Sequence, residues 1–163
     1  MIYEPDRVVQ DFALRTQENL TVIRRLRAEG QPVYEVTQLV NSLLGLLVFP
    51  KEEFFEALPR TPLAQLRQDG WPIPQVVGPF PQARDLRQLI RYLRNAVAHF
   101  NIAFLPEMVT ETHTKPEISG LRVWNTHPHT HAKTWEATLS LADLEGITER
   151  FLALVIRINS RTL

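Results

Sequence analysis

The segment from about Gln82 to Phe104 constrains the fold more than any other part of the chain. Placed on a helix at about 100° per residue, it separates into a polar and an apolar face. Within an arc of about 120–140°, the polar face holds Arg84, Arg87, Gln88, Arg91, Arg94, Asn95 and His99. The apolar face holds Leu86, Leu89, Ile90, Leu93, Ala96, Val97, Phe100 and Phe104. This division predicts a long helix that packs one side into a core and exposes the other.

Apolar residues at helical spacing predict three further main helices. They run over about residues 6–28, over 33–48 and, after a short helical piece over 51–58, from near Ser140 towards the end of the chain. Asp143 is the expected capping partner of Ser140. Gly45 interrupts the apolar run of the second helix, which predicts close packing at that point.

Two segments depart from the helical pattern. Six prolines between residues 59 and 81 predict an irregular connection, which Trp71 is expected to anchor on the domain. Over about residues 119–139, alternating apolar and polar residues on both sides of a loop predict a β-hairpin, with Trp135 packed beneath it. The sequence therefore predicts an all-α protein, one domain over residues 1–163. We expect a four- or five-helix bundle with a small hairpin inserted before the last helix.

The composition is that of an ordinary globular protein. The chain has 163 residues, 44 % of them hydrophobic, with 18 basic residues, 18 acidic residues and no cysteine. Without cysteine, disulfides and thiolate chemistry are excluded. The longest apolar stretch, residues 43–49, is too short to span a bilayer. We therefore expect a cytoplasmic protein without membrane attachment, in which any nucleic-acid binding depends on a local basic patch.

The polar face of the long helix is the best candidate for such a patch. Arginine dominates the basic residues, 15 against 3 lysines, and four of the arginines lie on this face. Most polar helix faces are only solvated. A solvated helix, however, more often mixes both signs of charge, and here Asp85 is the one acid near the arginines in sequence. His99 also follows Asn95 by one turn, so the two side chains can touch.

The same helix contains an R-N-x-x-x-H motif, formed by Arg94, Asn95 and His99. The spacing of Arg and His has little weight by itself, because Arg122 and His127 repeat it on a predicted strand. On an amphipathic helix of a bundle, the motif resembles the signature of the HEPN superfamily, small helical domains that often act as metal-independent ribonucleases. The run over residues 39–47 is also similar to a plasmid-borne HEPN subgroup.

This resemblance implies a homodimer in which the long helices of two chains face each other and cleave RNA. A 2′-hydroxyl would attack the adjacent phosphorus, with His99 as general base or acid and Arg94 stabilising charge on the phosphate. Asn95 would orient the imidazole or the phosphate. The flanking RNA backbone would be held by Arg84, Arg87 and Arg91. The resemblance implies no metal or other cofactor, and DNA should survive because it lacks the 2′-hydroxyl.

The biological setting of such an activity stays open at this point. The resemblance is compatible with a defence or toxin role and with an antitoxin or another protein partner. In one toxin branch of the superfamily a Tyr lies two residues after the His, where this chain has Asn101. Control by modification of that tyrosine is therefore not expected. The alternative is a non-catalytic HEPN-fold module that binds RNA or protein.

A second cluster of histidines lies in the predicted hairpin loop. His127, His129 and His131 alternate around Pro128, and His113 comes earlier in the chain. In an extended segment the alternation would direct three imidazoles one way, as a zinc site requires. We favour a solvated hairpin tip, because Pro128 disturbs a strand and no carboxylate is near to orient the rings.

Overall fold

The computed structural model describes residues 8–48, 52–106 and 118–159. Its elements are α1 (Val8–Ala28), α2 (Glu35–Val48), α3 (Glu52–Ala57), α4 (Leu63–Gln68), β1 (Gln75–Val76), α5 (Leu86–Ala98), β2 (Ile102–Pro106), β3 (Ile118–Thr126), β4 (Lys133–Ser140) and α6 (Leu141–Asn159). The predicted starts of the first and the short helix, at residues 6 and 51, lie outside these ranges, as does His113. Over the described ranges no helix has both the length and the apolar content to cross a membrane.

The all-α prediction is wrong, because four of these elements form an antiparallel sheet in the order β1-β4-β3-β2. The predicted hairpin is the centre of this sheet, where β3 pairs with β4 and Val123 lies opposite Ala137. β1 pairs with β4 on one side, and β2 pairs with β3 on the other. The sequence predicted only the hairpin of β3 and β4. Strand β1, from the proline-rich segment, and strand β2, directly after α5, extend this hairpin to a four-stranded sheet.

Helix α5 is shorter than the predicted helix over residues 82–104. At its start the Asp85 carboxylate accepts a hydrogen bond from the backbone N–H of Gln88 at 2.8 Å, which is a side-chain N-cap. Asp85 also forms an isolated β-bridge with Pro62, the residue before α4. The amino end of α5 is therefore attached to the proline-rich segment and does not extend back to residue 82.

The carboxyl end of α5 is set by Phe100, which adopts a φ of 56°. Bulky side chains rarely occupy this left-handed region. The N–H groups of Phe100 and Asn101 donate to the carbonyls of Val97 and Ala96 at 2.9 and 2.7 Å, a Schellman ending that glycine usually provides. The chain then enters β2. Phe100 and Phe104, expected in the core, are 79 % and 53 % exposed, so that expectation is wrong.

The core lies between the helices and one face of the sheet. Its largest fully buried side chains include Phe55, Leu89, Ile90, Leu93, Leu121, Trp135 and Phe151. Two local predictions are confirmed. A Cβ at Gly45 would lie 2.8 Å from Cζ of Phe12, so glycine allows α1 to approach α2 closely. The backbone N–H of Ser140 donates to the Asp143 carboxylate at 2.9 Å at the start of α6.

The proline-rich segment packs on the domain, as predicted, but it is not irregular throughout. It contains α4, whose Leu63 and Leu66 are buried, and the short strand β1. Pro72 lies against α6, where a Cβ at Gly146 would come within 2.5 Å of Cγ of Pro72. Trp71 is half-buried against the core. The prolines between α4 and β1 therefore limit the length of these two elements but do not prevent them from forming.

Candidate functional site

The polar face of α5 has two flanks with different surroundings. We call Arg87, Arg91 and Arg94 the α3 flank, because side chains and carbonyls of α3 and the residue after it lie against them. We call Tyr92, Asn95 and His99 the hairpin flank, because they share a cleft with residues of β3, β4 and the loop between them. The sequence predicted one continuous polar surface, whereas the structure gives its two sides different partners.

On the α3 flank, Arg87 is bound to α3 and the residue that follows it. Its Nε and Nη2 donate to the backbone carbonyl of Leu58 at 2.9 and 2.6 Å. Its Nη1 donates to Glu56 at 3.1 Å, and Nη2 of Arg91 donates to the other oxygen of that carboxylate at 2.7 Å. Only 19 % of the Arg87 side chain is exposed, against 46 % for Arg91. Glu56 is thus an acid that the helix sequence alone could not reveal, and Arg87 serves to attach α5 to α3.

The other two predicted arginines differ in their surroundings. Cζ of Arg94 lies 4.7 Å from the ring centroid of Phe55, a cation–π arrangement on a buried aromatic side chain. A guanidinium binds phosphates through its N–H groups. Arg84 is exposed before the first turn of α5, and its Nε donates to the Gln88 side chain at 3.3 Å.

The hairpin flank opens into a cleft of about 610 Å³. It is lined by Tyr92, Asn95, His99, Asn101, Asn125, Thr126, Pro128, His131 and Thr134. Within the described part of the chain, the lining residues supply amides, hydroxyls and two imidazoles, but no carboxylate, lysine or arginine. Asn95 and His99, which the motif places one turn apart, therefore share this space, whereas Arg94 is not part of the lining.

Interactions within the fold hold the inner wall of the cleft. Nδ2 of Asn125 donates to the backbone carbonyl of Tyr92 at 3.2 Å, and Nε2 of Gln88 donates to the Tyr92 hydroxyl at 3.0 Å. The Tyr92 ring lies 5.0 Å from the ring of Trp135, which is buried beneath the hairpin as predicted. The sequence analysis missed Tyr92 and Asn125. A polar Asn125 at an inward position of β3, in alternation with Leu121 and Val123, was the signal that could have found it.

The histidine loop is a closed turn, and its three imidazoles do not act as one set. The N–H of His127 donates to the carbonyl of Ala132 at 2.9 Å, and the N–H of His131 donates to the carbonyl of His127 at 3.0 Å. Nδ1 of His127 accepts from the backbone N–H groups of His129 and Thr130, each at 3.3 Å. Within the part of the chain that the structure describes, no group of three metal-binding side chains occurs. The geometry therefore gives the zinc alternative no support.

The outer face of the sheet carries an ion cluster separate from the cleft. Glu136 is buried and accepts hydrogen bonds from Arg122 and, at 2.8 Å, from Nζ of Lys133. The hydrogen bond from Lys133, together with that from Arg122, lowers the pKa of the Glu136 carboxyl, although burial alone would raise it. Arg122 is therefore engaged on the sheet and His127 in its own loop, so the second Arg–His pair of the same spacing forms no site.

The chain was compared with protein families, curated proteins and solved structures. The model of the family HEPN pEK499 p136 matches residues 1–162, so the chain belongs to this HEPN family. The motif resemblance is thereby confirmed. The comparisons with curated proteins and with solved structures gave no significant match. Membership of a HEPN family favours a nuclease or another RNA-related role.

Proposed function

We propose that this protein is a metal-independent endoribonuclease that acts as a homodimer. The observation that carries the proposal is the cleft of about 610 Å³ on the hairpin flank, in which His99 and Asn95 share an uncharged lining. Its volume suits a nucleotide-sized ligand. The amides of Asn95, Asn101 and Asn125 offer donors and acceptors to a ribose, a base edge or a phosphate oxygen.

The chemistry begins at the ribose 2′-hydroxyl. His99 accepts its proton, since imidazole exchanges a proton readily near neutral pH, and the 2′-oxygen attacks the adjacent phosphorus. Asn95, one turn earlier, orients the imidazole or a phosphate oxygen. The attack yields a 2′,3′-cyclic phosphate, which DNA cannot form because it lacks the 2′-hydroxyl.

A second copy of the chain supplies the positive charge that this reaction needs. The phosphate gains negative charge as the attack proceeds, yet none of the described residues that line the cleft is a lysine or arginine. Arg94 of the same chain lies against Phe55 on the other flank, about 140° away from His99 around the helix axis. When two α5 helices face each other, Arg94 of one copy approaches the cleft of the other, and its N–H edge binds the phosphate.

The exposed arginines of α5 contribute to binding of the flanking RNA. Arg91 of the α3 flank is 46 % exposed, and Arg84 is exposed at the amino end of the helix. Both contact the RNA backbone, and their contribution weakens as salt rises because counterion release drives such contacts. The sequence analysis also gave Arg87 this role, but its bonds to Leu58 and Glu56 favour a structural role.

Cleavage of a structured RNA with chelator present tests the proposal. The purified protein is compared with Arg94→Ala, His99→Ala and a matched control, His129→Ala, whose side chain is exposed outside the cleft. We expect cleavage with 2′,3′-cyclic ends by the parent and the control, and a loss of about 100-fold or more in the two variants. Lack of cleavage by the parent, or equal cleavage by all four proteins, would contradict the proposal.

One observation favours a second function, a non-catalytic module that binds RNA or protein. Glu56 neutralises part of the charge of Arg87 and Arg91, and Arg94 lies over the Phe55 ring. A site that only binds does not require a mobile cationic group next to the imidazole. The same RNA separates the two functions, because a binding module would retain it in a salt-dependent complex without producing cyclic ends.

A further inference from the structure

Two histidines from separate elements line the cleft. His99 lies at the carboxyl end of α5, and His131 belongs to the loop between β3 and β4. Both side chains are exposed. Over residues 8–48, 52–106 and 118–159, the ionisable groups in the lining are these two imidazoles and the Tyr92 phenol, without a carboxylate, lysine or arginine. Imidazole is the side chain most often used in general acid–base catalysis, so His99 and His131 are the two candidates for proton transfer in this cleft.

The loop holds His131 in a defined position. Its φ is 56°, a left-handed conformation that costs energy in a non-glycine residue, although His adopts it more readily than most residues do. Its backbone N–H donates to the carbonyl of His127 at 3.0 Å, and the His127 ring accepts from two further backbone N–H groups of the same loop. The loop is therefore closed by its own hydrogen bonds, so His131 is placed beside the cleft before any substrate binds.

Cleavage of RNA requires two proton transfers. The 2′-hydroxyl must lose a proton, and the 5′-oxygen of the leaving nucleotide must gain one. A single imidazole next to both atoms would have to complete these transfers in sequence. Two imidazoles that separate elements bring to one cleft can instead serve one oxygen each, since the two oxygens lie on opposite sides of the phosphorus in an in-line displacement.

We propose that His131 is the general acid of the reaction and that His99 is the general base, an inference that rests on the proposed ribonuclease function. The bond from the 2′-oxygen to phosphorus forms, and the bond from phosphorus to the 5′-oxygen breaks. The 2′-hydroxyl proton goes to His99, and the protonated His131 gives its proton to the 5′-oxygen. The products are a 2′,3′-cyclic phosphate and a 5′-hydroxyl, and exchange with water restores both imidazoles.

The test compares two substrates that differ in their leaving group. One is a ribodinucleotide, and the other is uridine 3′-(4-nitrophenyl phosphate), whose phenolate leaves without a proton. His131→Asn is the principal variant, because Asn tolerates a positive φ. We expect it to cleave the dinucleotide about 100-fold more slowly than the parent and the aryl ester within about threefold of the parent. The matched control His129→Asn should behave like the parent on both substrates.

Two further readouts separate proton donation from a structural role. The parent's rate on the dinucleotide should fall at high pH, where a general acid is deprotonated, and His131→Asn should lose this decline. Should Asn disturb the loop, seen as a lower unfolding temperature, His131→Gly accepts the φ of 56° without strain. Added imidazole should then restore cleavage of the dinucleotide by the glycine variant.

Each contrary outcome has a distinct meaning. Parent-like cleavage of the dinucleotide by His131→Asn would overturn the inference, and so would equal losses on both substrates. Recovery on the aryl ester by His99→Asn instead of His131→Asn would assign the acid to His99 and also overturn it. A parent that cleaves neither substrate would overturn the ribonuclease function itself, together with this inference.

Discussion

The two flanks of α5 are both polar, yet they differ in charge and in their neighbours. On the α3 flank, Glu56, Leu58 and Phe55 lie against the arginines, and Arg87 is mostly covered. On the hairpin flank, Asn95 and His99 line a cleft to which the described residues contribute no carboxylate, lysine or arginine. The difference teaches that a polar helix face need not be one functional surface. We propose that the α3 flank stabilises the fold of its own chain and that its Arg94 acts in the cleft of the other copy. The hairpin flank carries the groups that react with RNA.

The largest expected effect is on the activity of the hairpin flank. His99→Asn should reduce RNA cleavage by about 10²–10⁴-fold, because it removes the proton acceptor. Its free energy of unfolding should change by no more than about 0.5 kcal/mol, since the side chain is exposed beyond the last turn of α5. Single-turnover cleavage and urea unfolding measure the two quantities. A large loss of stability would make His99 a structural residue and remove the contrast between the flanks.

Arg87→Ala should have the opposite profile. We expect the free energy of unfolding to fall by about 2 kcal/mol, because the Leu58 carbonyl loses a charged donor and Glu56 loses one of its two arginines. The matched control is Arg84→Ala, an exposed arginine before the same helix, which should change stability by less than about 0.5 kcal/mol. Urea unfolding measures both. Equal stability of the two variants would show that the contacts with α3 contribute nothing.

Phe100→Gly should stabilise the protein, which few substitutions of a large apolar residue do. Phe100 is 79 % exposed and holds a φ of 56°, so glycine loses little burial and relieves the strained backbone. We expect a gain of about 0.5–1 kcal/mol in the free energy of unfolding. Phe104→Gly, on β2, is the control and should lower stability because strands disfavour glycine. If Phe100→Gly lowers the free energy of unfolding, the exposed Phe100 ring makes contacts that stabilise the protein by more than the backbone strain destabilises it.

Acid should weaken the sheet beside the cleft through Glu136. Its lowered pKa means that the unfolded chain binds more protons than the folded protein, so stability is present above the ordinary value of 4.5 and is lost as the pH falls through the folded pKa. Because Arg122 and Lys133 are 45 % and 43 % exposed, we expect a loss of less than about 1 kcal/mol. Urea unfolding from pH 7 to pH 3 should show a smaller loss in Glu136→Gln than in the parent. Parallel curves would contradict this role.

The sequence predicted those structural features that depend on a single helix or on one pair of strands. Helix periodicity placed the buried side of α5, and the alternating pattern located the strands β3 and β4. The end of α5 could not be predicted, because Phe100 and Phe104 continue its apolar spacing and no glycine or proline marks the turn. The short elements within the proline-rich segment were missed for a related reason, since contacts with the rest of the domain, and not local propensity, stabilise them.

The site was predictable to the extent that it lies within one helix. The motif identified Asn95 and His99, which share the cleft. The approach of Glu56 to Arg87 and of His131 to the cleft depends on the packing of separate elements, which no spacing along the chain records. The local sequence therefore identified candidate residues, whereas the tertiary structure determines which of them bind to other parts of the same chain.

The central claim is that Arg94 of one copy serves the His99 cleft of the other, and mixing of inactive variants tests it most directly. Arg94→Ala and His99→Ala are co-expressed with different tags, and the mixed dimer is purified. We predict that each variant alone is inactive and that the mixed dimer, with one intact composite cleft of two, recovers about half of the parent's RNA cleavage per dimer. A mixed dimer as inactive as the single variants would contradict the composite site and place both groups within one chain.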